Sequence, residues 1–340
     1  MIVMKKNKSL LKYNTFAIDV DAKYFASFTS FNDLKEIATT KEFINENLLV
    51  LGGGSNLLLT KNVDALVLKN DILGIQILKE NKSTIDISVG AGENWHEFVM
   101  FCVKNNYGGI ENLSLIPGNV GAAPMQNIGA YGSEIKDTFL YLEAFNIEKL
   151  QLESFTNKDC QFGYRESIFK KELKNKFIIL KVVFRLNKTP HQLNTNYGDI
   201  LKEIELLNIK NPTIKDVSNA VIKIRTRKLP DPKKIGNSGS FFKNPIISKN
   251  DFLKLETKYP KIAHYLISEN EVKIAAGWLI EKAGWKGKTI NNFGVHKNQA
   301  LVLVNYGGAN GSEIHELSNE IIADINLKFN IKLEKEVNII

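Results

Sequence analysis

Two glycine-rich stretches hold the residue types that could grip a cofactor through the main chain. Residues 51–59 read LGGGSNLLL, with Gly52, Gly53 and Gly54 followed by Ser55 and Asn56 between two apolar runs. Without Cβ atoms, successive N–H groups can turn into one concavity, which suits a pyrophosphate. A plain turn is the competing reading, but Gly/Ser linkers are not wedged between buried strands. Nor is this the G-x-G-x-x-G pattern that opens a helix, because Leu57, Leu58 and Leu59 read as strand. The second stretch, IPGNVGAAPMQNIGAYG at 116–132, interleaves Gly118, Gly121, Gly129 and Gly132 with Pro117, Pro124, Gln126 and Asn127. Its small residues would let a flat ring lie against main chain while amides supply oriented hydrogen bonds. A long structural loop is the alternative.

The elements that must carry these loops follow from periodicity. Residues 48–53, 64–70, 85–92, 141–147 and 177–186 are short, β-rich and bounded by turn residues, so they predict strands. Residues 93–106 have helical spacing, with Trp95, Phe98, Val99 and Cys102 on one face. Residues 214–228 predict an amphipathic helix, which Pro230 and Pro232 cannot continue, so a domain junction is expected there. Beyond it, 275–284 and 312–329 read as helices, 299–306 as a strand, and KLEKEVNII as a short closing strand. The class is α+β. We expect one cofactor-binding lobe at 1–71, a second at 72–224 and a substrate-binding domain at 225–330, with 331–340 returning to the active site.

Bulk properties narrow the function. A chain of 340 residues with 44% hydrophobic and 24% charged residues is globular and long enough for two or three domains. The net charge of +8 comes from lysines scattered among asparagines and isoleucines, a solvated face and not a groove for nucleic acid. No apolar run is long enough for a bilayer, and the start, MIVMKKNK, reverses the order of a secretory signal. Cys102 and Cys160 form no C-x-x-C pair and fit a reducing compartment. The five histidines show no metal-ligand spacing, so no metal site is expected. We expect a cytoplasmic monomer acting on a small molecule, without nucleic acid or membrane insertion.

Together with NTFAI at 14–18, the two loops resemble the FAD-binding fold of the vanillyl-alcohol-oxidase and p-cresol-methylhydroxylase class. Four further blocks narrow this: FGYRESIFK at 162–170, GSFFKNP at 239–245, AAGWLIEKAG at 275–284 and LEKEV at 333–337. In that collinear order, from about Asn14 to Ile340, the chain resembles the UDP-N-acetylenolpyruvoylglucosamine reductases in their longer, tyrosine-containing form.

The resemblance implies a two-lobed FAD-binding domain of that class, with a C-terminal α/β substrate-binding domain. It implies noncovalent FAD, NADPH as hydride donor, and reduction of an enolpyruvyl ether on a UDP-sugar to a lactyl ether in peptidoglycan precursor synthesis. Its cofactor residues would be Gly52, Gly53, Gly54, Ser55, Asn56, Pro117, Gly118, Gly121, Gln126, Asn127, Gly129, Ala130, Tyr131 and Gly132. Arg165 in FGYRESIFK would stabilise the enolate-like charge, as a planar and always protonated guanidinium can. Ser240 in GSFFKNP matches the family's proton donor, and Glu336 in LEKEV its last catalytic residue, which would have to be neutral to donate a hydrogen bond. Tyr197, Arg225, Lys228, Asn244 and Gln299 align with positions near the UDP-sugar. Tyr265 and Lys273 lie where the chain departs from the family pattern and are left out. Two rivals are another flavin oxidoreductase of the same fold and a nucleotide-binding module without catalysis. A yellow purified protein separates the flavoenzymes from the latter.

Overall fold

The computed structural model describes residues 2–340 and divides into two compact units. The first comprises the chain up to Lys8, Ala22–Gly54 and Asp64–Arg227; the second comprises Ser9–Asp21, Ser55–Val63 and Lys228–Ile340.

The first unit contains a four-stranded sheet in the order Lys5–Ser9, Asp21–Phe28, Val63–Asn70, Leu48–Leu51, the last two parallel. A second sheet has five strands, ordered Gln151–Thr156, Phe139–Asn146, Phe177–Asn187, Thr84–Gly90, Ile75–Glu80, and its pairings are antiparallel. The strand Phe177–Asn187 explains how they share a core. Its run of β-branched and aromatic residues is buried on both faces, as a strand covered on both sides must be. Ile178 and Leu180 pack with Phe28, Leu66 and Leu68 of the first sheet, while Val182, Phe184 and Leu186 pack against the helix Trp95–Lys104.

That helix has the face its spacing predicts. Trp95, Phe98, Val99 and Cys102 are all buried, and the Trp95 and Phe98 rings meet Phe184 with centroids 5.9 and 5.2 Å away. Each such side chain contributes roughly 1.5–3 kcal/mol on burial. Asn94 caps its start, accepting from the Glu97 N–H at 3.1 Å. The helix Ile214–Lys228 spans the predicted residues and packs through Val217, Val221 and Ile224 on Ile200 and Ile204 of the helix Ile200–Leu206.

The second unit is built on Phe293–Val295 paired with Leu303–Asn305, the helix Gly311–Phe329, and a hairpin-like sheet of Ile246–Ser248, Glu271–Ile274 and His264–Leu266. It recruits residues from the start of the chain. The buried Asn14 side chain donates to the carbonyls of Leu10 and Ile18 at 2.8 and 2.9 Å and accepts the Ile18 N–H at 2.9 Å. Asn305 then donates to the Phe16 carbonyl, and the Phe16 ring packs edge-on against Phe241. The strand expected over 299–306 is shorter, because the Val302 N–H closes a turn on the Gln299 carbonyl; regular pairing is confined to Leu303–Asn305. The closing strand is likewise confined to Asn338–Ile339, which runs parallel to Leu57–Leu58. Among the described residues, no helix is long and apolar enough to cross a membrane, and no cluster of metal-ligating side chains forms.

Candidate active site

In the first unit, the two glycine stretches meet main chain to main chain. A Cβ on Gly53 would lie 2.7 Å from Asn119 Oδ1 and 3.0 Å from Gly118 Cα, so a side chain there would force the stretches apart. Asn119 is fixed in turn by donating from Nδ2 to the Gly92 carbonyl at 2.5 Å. Gly54 and Gly118 have φ of +61° and +113°, conformations that favour glycine. Glycine-lined loops that approach this closely, with main chain on both sides and the Asn119 amide between them, are the kind of cradle that a pyrophosphate and a flat ring system fit.

The far end of the second stretch is a tight hairpin. Gly129–Ala130 pairs with Ser133–Glu134, leaving a two-residue turn at Tyr131 and Gly132, both with positive φ as a type I′ turn demands. Asn127 is fully buried and spends its amide on the scaffold: Nδ2 donates to Glu134 and to the Gly163 carbonyl, and Oδ1 accepts the Lys136 N–H. Gln126 accepts from Lys170 Nζ at 3.3 Å.

Arg165 stands at the same hairpin. It occupies a two-residue turn closed by the Gly163–Glu166 bridge, with φ of +55°, and its Nη2 donates to the Gly129 carbonyl. The neighbouring Glu166 forms an ion pair with Lys171 at 2.5 Å. Arg225 approaches from the helix Ile214–Lys228. Its Nε donates to the Leu115 carbonyl at 3.2 Å, and it hydrogen-bonds Tyr131. Burial first, and then the nearby Arg165, lower its pKa, while Tyr131 offsets part of this. Two arginines that repel each other in a half-buried setting favour an anion between or beside them. Tyr197 is held near by its loop: Asn194 donates to the Gly132 carbonyl at 3.0 Å, and Tyr197 Cβ would lie 3.2 Å from a Cβ on Gly132.

In the second unit, Ser240 and Glu336 lie on laterally bonded segments. Ser240 bridges Val302 on one side, and the Glu336 N–H donates to the carbonyl of Phe241 at 2.8 Å on the other. Phe241 and Phe242 are buried, whereas Ser240 is exposed. Lys243 forms an ion pair with Glu334 at 3.2 Å. Asn244 Oδ1 accepts the Ala276 N–H at 2.9 Å at the start of the helix Ala276–Lys282, and Gln299 Oε1 accepts the Leu301 N–H at 3.3 Å. Asn56 Nδ2 reaches the Glu336 carbonyl at 3.4 Å, and the Asn56 carbonyl accepts from the Asn338 backbone and side chain, so the end of the chain is registered against Ser55–Asn56. Lys228 begins the last segment of this unit, Lys228–Ile340.

Two further residues, Asn119 and Asn112, shape the site without any mark in the sequence. Asn112 is buried and donates to the carbonyls of Tyr131 and Asn194, tying the hairpin to the Tyr197 loop. Nothing in the spacing of either asparagine singles it out; only their contacts do.

Known proteins carry the same organisation. Residues 231–340 match the family described as UDP-N-acetylenolpyruvoylglucosamine reductase, C-terminal domain, and residues 22–148 match the FAD binding domain. The UDP-N-acetylenolpyruvoylglucosamine reductase of Flavobacterium johnsoniae is 56% identical over 337 residues, covering 99% of each chain. Those of Amoebophilus asiaticus and Pseudomonas fluorescens are each 46% identical, over 99% and 97% of both chains. The crystal structure of the Thermus caldophilus reductase has the same fold, with a TM-score of 0.68 at 22% identity over 100% of this chain and 98% of that one. With a two-sheet FAD-binding domain at its start and the reductase C-terminal domain at its end, the chain belongs to the family of UDP-N-acetylenolpyruvoylglucosamine reductases, FAD-dependent oxidoreductases of peptidoglycan synthesis.

Proposed function

We propose that the chain reduces the enolpyruvyl ether of UDP-N-acetylglucosamine enolpyruvate to UDP-N-acetylmuramate, with NADPH as the source of hydride and FAD held noncovalently. FAD, when bound, would supply the hydride-transfer chemistry between NADPH and the methylene carbon of the enol ether. Gly52, Gly53, Gly54, Pro117, Gly118, Gly121, Gly129 and Ala130 would hold the cofactor through main chain. Charge then builds on the carboxylate-bearing side of the substrate, where the guanidinium of Arg165 would stabilise it. The hydroxyl of Ser240 would give its proton to the neighbouring carbon, and Glu336, kept neutral, would hold a hydrogen bond to the same enolate. Tyr197, Arg225, Lys228, Asn244 and Gln299 would bind the UDP-sugar, cations on its diphosphate and amides on its hydroxyls. We further propose a cytoplasmic monomer.

The observation that carries this reading is the hydrogen bond from the Glu336 N–H to the carbonyl of Phe241, next to Ser240. It joins the main chains of two segments whose residues Ser240 and Glu336 are separated by 96 positions in the sequence (336 less 240) and are of types that a proton transfer could use. Ser240→Ala tests it by separating the two half-reactions in stopped flow. Bleaching of the flavin by NADPH should keep its wild-type rate. Reoxidation by the enolpyruvyl substrate should slow about a hundredfold or more. Reoxidation at the wild-type rate would remove Ser240 from its role.

A further inference from the structure

We propose that His96 is a positioning residue for the flavin loop: its neutral imidazole holds the Leu115 amide, and protonation of the ring releases the loop and with it the cofactor. The inference rests on the reading of residues 116–132 as a flavin loop.

Leu115 precedes Ile116 and Pro117 at the entry to the glycine-rich stretch, and its φ is +59°. A leucine in the left-handed region is strained and persists only where its surroundings hold it there. Here it is held at both ends of its residue. Its N–H donates to His96 Nδ1 at 3.0 Å, and its carbonyl accepts from Arg225 Nε at 3.2 Å. The same helical turn grips the segment on either side of Leu115. Trp95 Nε1 donates to the Leu113 carbonyl at 2.9 Å, and the Trp95 N–H donates to the Gly118 carbonyl at 3.0 Å. The first turn of the helix Trp95–Lys104 therefore fixes the approach to Gly118, and His96 supplies its one titratable contact.

Only an unprotonated Nδ1 can accept the Leu115 N–H, so the ring is the neutral tautomer with its proton on Nε2. Protonation would set an N–H against an N–H. The charged groups that face the ring are Arg225, from the helix Ile214–Lys228, and Glu97 on its own helix. Burial, and after it Arg225, hold the His96 pKa below the ordinary imidazole value, with Glu97 opposing. A second cation beside Arg225 would also weaken the grip on the Leu115 carbonyl. Both contacts that restrain the strained residue therefore fail together when one proton arrives.

The experiment uses the full-length protein carrying FAD and follows flavin release on dilution by the rise in fluorescence. From about pH 7.5 to about pH 5.5 the wild-type release rate should rise about tenfold or more, the scale of a buried donor left unmatched. His96→Ala should release flavin fast at both pH values. His96→Asn places an amide oxygen near the position of Nδ1 but cannot titrate, so it should release flavin slowly at both. Persistent pH dependence in His96→Asn, or wild-type behaviour in His96→Ala, overturns the proposal. Hydrogen exchange of the Leu115 amide, corrected for its intrinsic rate, is a readout that needs no flavin. It should lose protection in wild type at the lower pH and keep it in His96→Asn; unchanged wild-type protection overturns the proposal. If His96→Ala does not fold, these two proteins decide the matter. A protein that holds no FAD at any pH would overturn the cofactor reading, while Leu115 exchange would still judge the clamp.

Discussion

At the scale of single residues, the candidate site is made as much by missing atoms as by side chains. Gly53 shows this best, because its would-be Cβ meets both the tip of Asn119 and the main chain of Gly118. The asparagine could swing aside; the Gly118 backbone could not without moving the loop. Gly53→Ala should therefore fold but purify with much less flavin, by at least about tenfold in affinity if the stretches separate by a few tenths of an ångström. Flavin absorbance per protein, with the thermal midpoint as control, is the measurement, and full flavin content in a folded variant would contradict the packing argument. The two thiols stand apart from this chemistry. Cys102 and Cys160 are buried, and burial pushes the Cys160 thiol up to about 12 and Cys102 up as well, as inert structural cysteines require.

At the scale of elements, the second unit depends on segments distant in sequence. Residues 9–21 enter it through the buried Asn14, whose amide bonds at both its oxygen and its nitrogen bridge Leu10 and Ile18. Asn14→Ala strips partners from three buried main-chain groups and should cost about 2–3 kcal/mol. Urea unfolding monitored at Trp278 or Trp285 should report it, and a variant with an unchanged midpoint would show that water takes over those bonds. Elements inside the first unit are legible in the sequence because each has a strong local signal. The helix Trp95–Lys104 has its cap and its apolar face, and Ile214–Lys228 has its periodicity and the prolines that follow. The strand predicted over 299–306 is too long because a continuous apolar run does not reveal where a turn interrupts it. Here the turn at Gln299–Val302 does so through a main-chain bond, with no proline or glycine to announce it.

For the whole molecule, charge couples stability to pH. His96 in the first unit, and His296 and His315 in the second, are all held below the ordinary imidazole value, in each case mainly by burial. The unfolded chain then binds more protons than the native one between the depressed values and about 6.5. The stability from keeping these rings neutral is thus complete above about 6.5, is lost as pH falls from there, and is fully lost below the depressed values. Thermal midpoints should therefore decline from about pH 7 to about pH 5.5, before the carboxylates titrate. His96→Asn should remove part of that decline. A midpoint flat across the window would mean that the three rings stay accessible to protons in the native state.

From the amino-acid sequence by itself the two glycine-rich loops stand out as local patterns, whereas Arg165, Ser240 and Glu336 become candidates for chemistry only through the family resemblance. The α+β class follows from helix and strand periods, which are properties of neighbouring residues, while the cofactor and the family follow from the resemblance of the collinear blocks. What such patterns cannot convey is partnership across distance. That Gly53 lies against Asn119, that Glu336 is tied to Phe241, and that Leu115 is held between His96 and Arg225 are outcomes of packing. Each joins segments whose own sequences permit many neighbours, and only the burial of shared cores, around Phe184 in one unit and Phe241 in the other, selects one.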